Sequence, residues 1–545
     1  MNFTILWIIL ITILALFLRI LGIDKLGGLW NDEYISWFIS SLPMFKSFVN
    51  GVLSQCHMPL YYLYLKLFLN ISNNDTFLRL TSVLPALISV SVMYLVGREK
   101  SKLAGYLCAF FITVSSFSIY YSQEVRFYSL LFLFSAISLL FTIRLIKKQN
   151  KHNVFGYLIS NILILFTHTI GFVYVFFSLV FVSIKLFKNC KKLLLTTWSI
   201  LSISFMLALP EIIKIFATIS FSQWWANFSI NRLLQVFVDY FSPIISPIML
   251  IENINGFNLF ATPIVISTTI AVIILVIGIF YKKCRIENQV LYIAIATLFV
   301  LLLASLSGKL VLETKYSIEI FPILIFVFIN TILSFSKKRI KIPVLVIFFA
   351  IQISYLFTIN APFWQPRPEG HKFATQLLEK ANLKEGDYIV LTYYPKERFE
   401  KYFDFSKYNV IEIHKGNFNE YFMPKLSYND AVKDGLKAYR GSFINDTKPL
   451  NEYEGNPALL AIDQNIYRKM NTNQKVVFLF LDSVSFLDET TFAKIVTDSK
   501  LYSKAPLLYL VFSDIRNTII RTLPVKAKNI HYESNGSWTI VSFER

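Results

Sequence analysis

From Met1 to about Asn360 the sequence repeats one feature, apolar stretches of about 20 residues, each long enough to cross a hydrocarbon core roughly 30 Å thick. A chain built this way must satisfy its backbone polar groups within each segment, so the stretches are expected to be transmembrane helices. A mean hydropathy of +0.54 and a charged fraction of 16%, against about a quarter in soluble domains, exclude a single soluble globule. The expected fold class is an α-helical polytopic membrane protein.

The net charge of +19 would suggest nucleic acid on a soluble surface, but its distribution points elsewhere. Up to Ala361 there are about 28 basic and 12 acidic residues, against about 25 and 22 afterwards, so the excess belongs to the apolar part. There the positive-inside rule operates, and no nucleic-acid partner is expected. The four cysteines, Cys56, Cys108, Cys190 and Cys284, lack CxxC spacing, which supports neither a disulfide framework nor a zinc site. Residues Met1 to Gly22 carry no basic residue before the apolar run and no small-x-small cleavage pattern after it, and read as an uncleaved first span.

Basic clusters at Arg98 to Lys102, Lys147 to Lys151, Lys188 to Lys192, Lys282 to Arg285 and Lys337 to Lys341 should all be cytoplasmic. An even number of spans must then separate each from the next. This gives eleven: roughly 2–23, 79–97, 103–121, 127–146, 154–168, 170–187, 193–210, 260–281, 290–307, 317–335 and 342–360. The run Val154 to Phe187 would reach about 51 Å as one helix, so a hairpin turning near His168 fits better. With the amino terminus inside, the segments Asp24 to Phe77, Ser122 to Arg126, Glu211 to Asn258 and everything after Asn360 face outward.

Asp24, Asp32, Glu33, Asp75, Glu124, Glu211, Asp239, Glu252 and Glu313 all fall in outward segments or at helix ends facing them. Acidic residues contribute little to insertion, so this bias points to an outward-facing polar site. The outward loop 24–77 also contains two amphipathic stretches, Tyr34 to Val49 and Pro59 to Leu69, expected to lie as helices in the interface. The expected domains are therefore a membrane domain over 1–361 and, beyond a linker marked by Pro362, Pro366 and Pro368, a soluble α/β domain over 362–545. In the latter, Tyr388 to Thr392, Lys475 to Leu481 and Pro506 to Phe512 read as strands. No Gly-rich phosphate loop or nucleophile elbow occurs there, so it is expected to bind or position an acceptor.

Trp30-Asn31-Asp32-Glu33-Tyr34 sets two carboxylates side by side just beyond the first span, a costly arrangement unless they are partnered. Together with Leu18-Arg19-Ile20, Gly28-Leu29, His57-Met58-Pro59-Leu60-Tyr61-Tyr62, Ser122-Gln123-Glu124-Val125-Arg126-Phe127-Tyr128, Thr167-His168 and Lys315-Tyr316 with Pro322 beyond it, this motif forms an ordered series. In order and spacing the series resembles GT-C glycosyltransferases related to dolichyl-phosphate-mannose protein mannosyltransferases and lipid A aminoarabinose transferases, over about residues 1–335.

The resemblance implies a GT-C transferase that takes a sugar from an undecaprenyl- or dolichyl-phosphate carrier and attaches it to a glycan, lipid or protein acceptor on the outer face. Its catalytic pair would be Asp32, the general base, and Glu33, which supports it. The residue types suit the chemistry, since an attacking hydroxyl needs a carboxylate to take its proton and the transition state has oxocarbenium character. If the backbone is extended at this point, adjacent side chains point apart and only one can serve the acceptor. Arg126 and Lys315 would hold the leaving phosphate; without the motifs each would read as a cation snorkelling to the interface. A lysine replaces the more usual arginine at Lys315 and gives up bidentate geometry. Substrate contacts are expected from His57, Tyr62, Glu124, Tyr128, His168 and Tyr316.

His57, Glu124 and His168 would form a minimal ligand set for a divalent cation, but no spacing enforces their convergence, and no metal site is assigned. The tyrosines at the outer boundaries, Tyr61, Tyr62, Tyr120, Tyr121 and Tyr128, read by default as an aromatic belt. A transporter or flippase of lipid-linked saccharide is the competing class; it would carry midplane ionisable residues and repeated halves, and neither is seen. An enzyme-free scaffold would explain the tail but not the motifs. The lack of an appended β-trefoil favours a bacterial inner membrane, with the site and C-terminal domain outside.

Overall fold

The computed structural model describes residues 3–43, 48–49, 52, 58–187, 191–222, 230–242, 262–281, 288–307, 312–356, 370–414, 470–471, 473–481, 528–535 and 538–544. The chain divides into two compact units, one of Met1–Leu26 with Ile35–Gln365, the other of Gly27–Tyr34 with Pro366–Arg545. A division at 361/362 does not anticipate that Gly27–Tyr34, the segment bearing the paired carboxylates, groups with the C-terminal residues.

The first unit is helical: α1 (Phe3–Ile20), most of α2 (Asn31–Ser41), α3 (Pro59–Leu69), α4 (Asp75–Arg98), α5 (Lys102–Val114), α6 (Ser116–Ser122), α7 (Tyr128–Lys147), α8 (Lys151–Thr167), α9 (Gly171–Leu186), α10 (Lys191–Ser222), α11 (Ile230–Phe241), α12 (Thr262–Phe280), α13 (Leu291–Leu306), α14 (Phe321–Ser334) and α15 (Lys338–Leu356). Local signals set several boundaries. The Asn74 side chain accepts from Thr76 N and Phe77 N to start α4, while Ser101 and Asn150 cap α5 and α8 in the same way. Proline in the first turn opens α3 and α14, where its missing N–H costs no hydrogen bond.

All eleven stretches read as spans fall on helices. Among the described residues, five helices are long and apolar enough to cross a membrane, or six if α5 and α6, bent by 59°, are one broken span. Shorter apolar helices occupy 171–186, 264–280 and 291–306, and α8 and α15 take the remaining two stretches. The hairpin expected near His168 is present, α8 stopping at Thr167 and α9 starting at Gly171. α1 leaves most of its surface, including Phe3, Leu10, Ile13 and Phe17, outside the protein, whereas α14 is buried from Phe321 through Ile332. A helix apolar all round belongs at the centre of a bundle, and α14 takes that place against α5, α7 and α12.

Arg19, at the end of α1, is fully buried and braces the break between α5 and α6. Its Nη2 donates to Ile112 O (2.9 Å) in the last turn of α5 and to Ser118 Oγ (2.8 Å) in α6, and Gln123 Nε2 donates to Arg19 O (2.8 Å). A guanidinium carries enough fixed donors to hold both sides of a helix bend.

The second unit contains α16 (His371–Lys380) and five strands, β1 (Tyr388–Tyr393), β2 (Asn409–His414), β3 (Lys475–Leu481), β4 (Lys528–Ser534) and β5 (Trp538–Glu544), in the order β2-β1-β3-β5-β4. β1 is parallel to β2 and β3, and β5 is antiparallel to β3 and β4. The near-continuous apolar runs of β1 and β3 suit central strands buried on both faces. Ala374, Leu377 and Leu378 of α16 pack with Ile389, Phe478 and Trp538 in its core. Asp387 pins the start of β1 by accepting from Lys384 N (2.7 Å) and Lys475 N (3.0 Å). The run Pro506 to Phe512 lies outside the described residues.

Candidate active site

The backbone at Asp32 and Glu33 is helical, not extended, which corrects the premise on which the two carboxylates were separated. Separation survives by another route, because neighbours on a helix point about 100° apart. Glu33 is fully buried and its Oε2 accepts the Trp30 N–H at 3.2 Å. This is the return half of a capping box, in which a Glu in the first turn satisfies a donor just ahead of the helix. Asp32 is partly exposed and precedes Ser36 by four residues, the spacing of side chains that share a helix face.

Ser36 Oγ accepts from Arg126 Nη1 at 3.3 Å. Arg126 leaves α6 through a tight reversal in which its N–H donates to Glu124 O at 2.7 Å, the pattern of a γ-turn, around the buried Val125. Glu124 and Arg126 are almost wholly buried. The Arg126 guanidinium lies over the Phe127 ring, 5.2 Å from its centroid. Phe127 stacks on His168 at 4.5 Å, and His168 on Tyr316 at 6.1 Å. The Lys315 ammonium lies over Tyr316 at 5.2 Å. Two of the three stacked rings, Phe127 and Tyr316, therefore each have a cation within reach, an arrangement in which ring quadrupoles favour both charges.

The Lys315 end is held by a short 3₁₀ segment, Thr314–Ile320. Thr314 Oγ1 donates to Asp239 Oδ2 (2.6 Å), Gln235 Nε2 donates to Asp239 Oδ1, and the Tyr240 hydroxyl donates to Thr314 O (3.1 Å) and lies 3.0 Å from Ser317 Oγ. The amphipathic helix α11 is thus tied to the turn that presents Lys315 and Tyr316. Lys315 Nζ also lies 3.7 Å from Glu313 Oε2, with 21% of its side chain exposed. Glu124 and Lys315 both stand close enough to act electrostatically on Tyr121.

The fold of the whole chain superposes on that of ArnT from Cupriavidus metallidurans bound to undecaprenyl phosphate, with a TM-score of 0.51 and 10% sequence identity over 98% of each chain. This chain has the GT-C fold. The same ArnT in the apo state gives 0.48 at 11% identity over 98% of this chain and 97% of that one. The Archaeoglobus fulgidus oligosaccharyltransferase tethered with an acceptor peptide gives 0.47 at 8% identity over 98% and 73%. No family model and no curated protein matches the sequence.

Of the residues singled out from sequence, Arg126, His168, Lys315 and Tyr316 come together in the stack. Tyr128 joins it through its ring contact with Phe127 (4.6 Å), and Tyr62 more remotely through Tyr61, which packs on Phe127 at 6.4 Å. Tyr61, Tyr62 and Tyr128 are buried inside the protein, so the aromatic-belt reading does not hold for them. His57 lies outside the described residues. Among the described residues, no three His, Cys, Asp or Glu side chains are grouped so as to hold a metal ion.

Phe127, the ring on which the others converge, is not legible as a site residue from sequence, because an apolar residue in a motif carries no chemical flag. Nor does sequence alone mark Asp239 as the brace of the Lys315 turn. Glu319 is not among the outward acids, and its carboxylate is fully buried at the head of α14, with neither oxygen hydrogen-bonded among the described residues.

Proposed function

We propose that this chain is an integral-membrane glycosyltransferase that moves a sugar, with inversion, from a polyprenyl-phosphate donor to an acceptor at the extracytoplasmic face of a bacterial inner membrane. The observation that supports it best is that two cations, Arg126 over Phe127 and Lys315 over Tyr316, are joined into one cluster through the ring of His168. A GT-C relative in fold, ArnT, has been seen bound to undecaprenyl phosphate. In this reading the acceptor O–H loses its proton to Asp32 as its oxygen attacks the anomeric carbon. The bond from that carbon to the phosphate oxygen breaks on the opposite face, and the lipid phosphate leaves with the electron pair. Arg126 and Lys315 neutralise the charge it gains, and Glu33 holds the first turn of α2 that carries Asp32. His57, Tyr62, Glu124, Tyr128, His168 and Tyr316 are the proposed substrate contacts, with undecaprenyl phosphate the carrier expected in a bacterium and a glycan, lipid or protein as acceptor.

The test is transfer by purified protein from a polyprenyl-phosphate sugar, the donor being identified as the lipid that accumulates when the protein is deleted. Asp32→Asn keeps size and most hydrogen bonding but cannot take the proton, and should lose on the order of 10² to 10⁴ in rate. Wild-type transfer by Asp32→Asn with a dead Glu33→Gln would move the role to Glu33. If both variants are active, the assignment fails.

A further inference from the structure

The segment Gly27–Tyr34 is fastened to the C-terminal residues at both backbone groups of Leu29 and at its last side chain, Tyr34. The Leu29 N–H donates to the Tyr402 hydroxyl at 2.8 Å. The Leu29 carbonyl accepts from the His371 ring at Nδ1 (3.1 Å), with the His371 N–H at 3.4 Å. The Tyr34 hydroxyl donates to Glu397 O, and its ring lies 4.9 Å from the Arg398 guanidinium and edge-on to His371 at 5.2 Å.

Two further observations show that this contact is built in. Gly27 has φ +78°, and a Cβ there would stand 2.1 Å from the Phe373 ring; one at Gly28 would meet Lys372 Cβ at 2.4 Å and its backbone N at 2.9 Å. Only glycine lets the irregular entry to α2 lie this close to α16. His371 is buried among Tyr394, Phe399 and Trp538. Burial, with the Arg398 charge adding to it, holds its imidazole down at about 3, so at neutral pH it is an uncharged donor with a fixed tautomer.

We infer that Tyr402 and His371 are positioning residues, which hold both backbone groups of Leu29 so that Asp32, three residues later, keeps its direction; this rests on the reading of Asp32 as the base. The C-terminal domain then serves catalysis by orienting the carboxylate, beyond any part it takes in meeting the acceptor.

The experiment uses the full chain in lipid nanodiscs. Tyr402→Phe keeps the ring and removes the acceptor of the Leu29 N–H. His371→Leu removes the donor, whereas His371→Asn sets an amide N–H close to the place of Nδ1 and is the rescue. Hydrogen exchange over 27–34 should quicken about fivefold in Tyr402→Phe and His371→Leu, the scale of one lost hydrogen bond, and return toward wild type in His371→Asn. In the transfer assay kcat should fall roughly 10- to 100-fold in the first two, with KM for the donor, the shape of the pH profile and the thermal midpoint little changed.

Unchanged exchange overturns the clamp. Faster exchange with wild-type kcat per folded molecule overturns the positioning role, as does loss of kcat only in proportion to loss of folded protein. Failure of the transferase reading shows separately, as no sugar transfer by the wild-type protein, and the exchange arm then decides whether Gly27–Tyr34 is clamped.

Discussion

The tether between α11 and the Lys315 turn makes a prediction whose sign and size follow from one carboxyl. Burial lifts Asp239 from an ordinary value near 3.8 to about 7, against the hydrogen bonds from Thr314 and Gln235 and with a further push from the Glu313 charge. Between about pH 4 and pH 7 the folded protein therefore holds a proton that the unfolded chain has released. Stability must fall as pH rises through that window and level off above it. At about 1.4 kcal/mol for each pH unit, the full difference is about 4 kcal/mol. Asp239→Asn removes the charge while keeping an oxygen for Thr314 and, after a flip of the Gln235 amide, an acceptor for its own N–H. The variant should be level with wild type near pH 4 and more stable by up to about 4 kcal/mol at pH 8. Equilibrium unfolding in detergent micelles from pH 4 to 8.5 measures this, and the difference between the two curves removes the contribution of histidines common to both. A difference curve that is flat, or that rises toward low pH, would refute the reasoning.

Two other expectations concern the proposed phosphate contact of Arg126 and the threading of the chain. Arg126→Ala should cost a few kcal/mol of transition-state stabilisation, the scale of one lost charge-stabilising donor, and Arg126→Lys should recover part of it because charge remains without the fork; kcat/KM at matched folded protein decides, and equal activity of the Ala variant removes Arg126 from the site. If the C-terminal domain is outside, Lys407→Cys, at an exposed position beside β2, should react with an impermeant thiol reagent in intact cells; labelling only after lysis sinks the eleven-span threading. Asp387, whose carboxylate is buried against Lys384 N and Lys475 N, would be a poor choice for the same experiment.

Helices and their limits were largely legible in the sequence because their causes are local. Run length in apolar residues sets a span, the Asn74, Ser101 and Asn150 side chains cap the helix that follows them, and Pro59 and Pro322 sit where a helix can begin. The pairing of Asp32 with Glu33 and the cations at Arg126 and Lys315 were visible as ordered motifs. Which faces meet was not, since no window of sequence contains both partners. Phe127, His168 and Tyr316 come from three separate helix ends, and only packing makes them one stack. Asp239 becomes a brace only because α11 comes to rest against Thr314. Gly27–Tyr34 leaves the first span by covalent order yet joins the C-terminal unit, because its glycines admit α16 and Leu29 finds both hydrogen-bond partners there. Local propensity decided the elements; burial of apolar faces and satisfaction of backbone donors between distant segments decided the site.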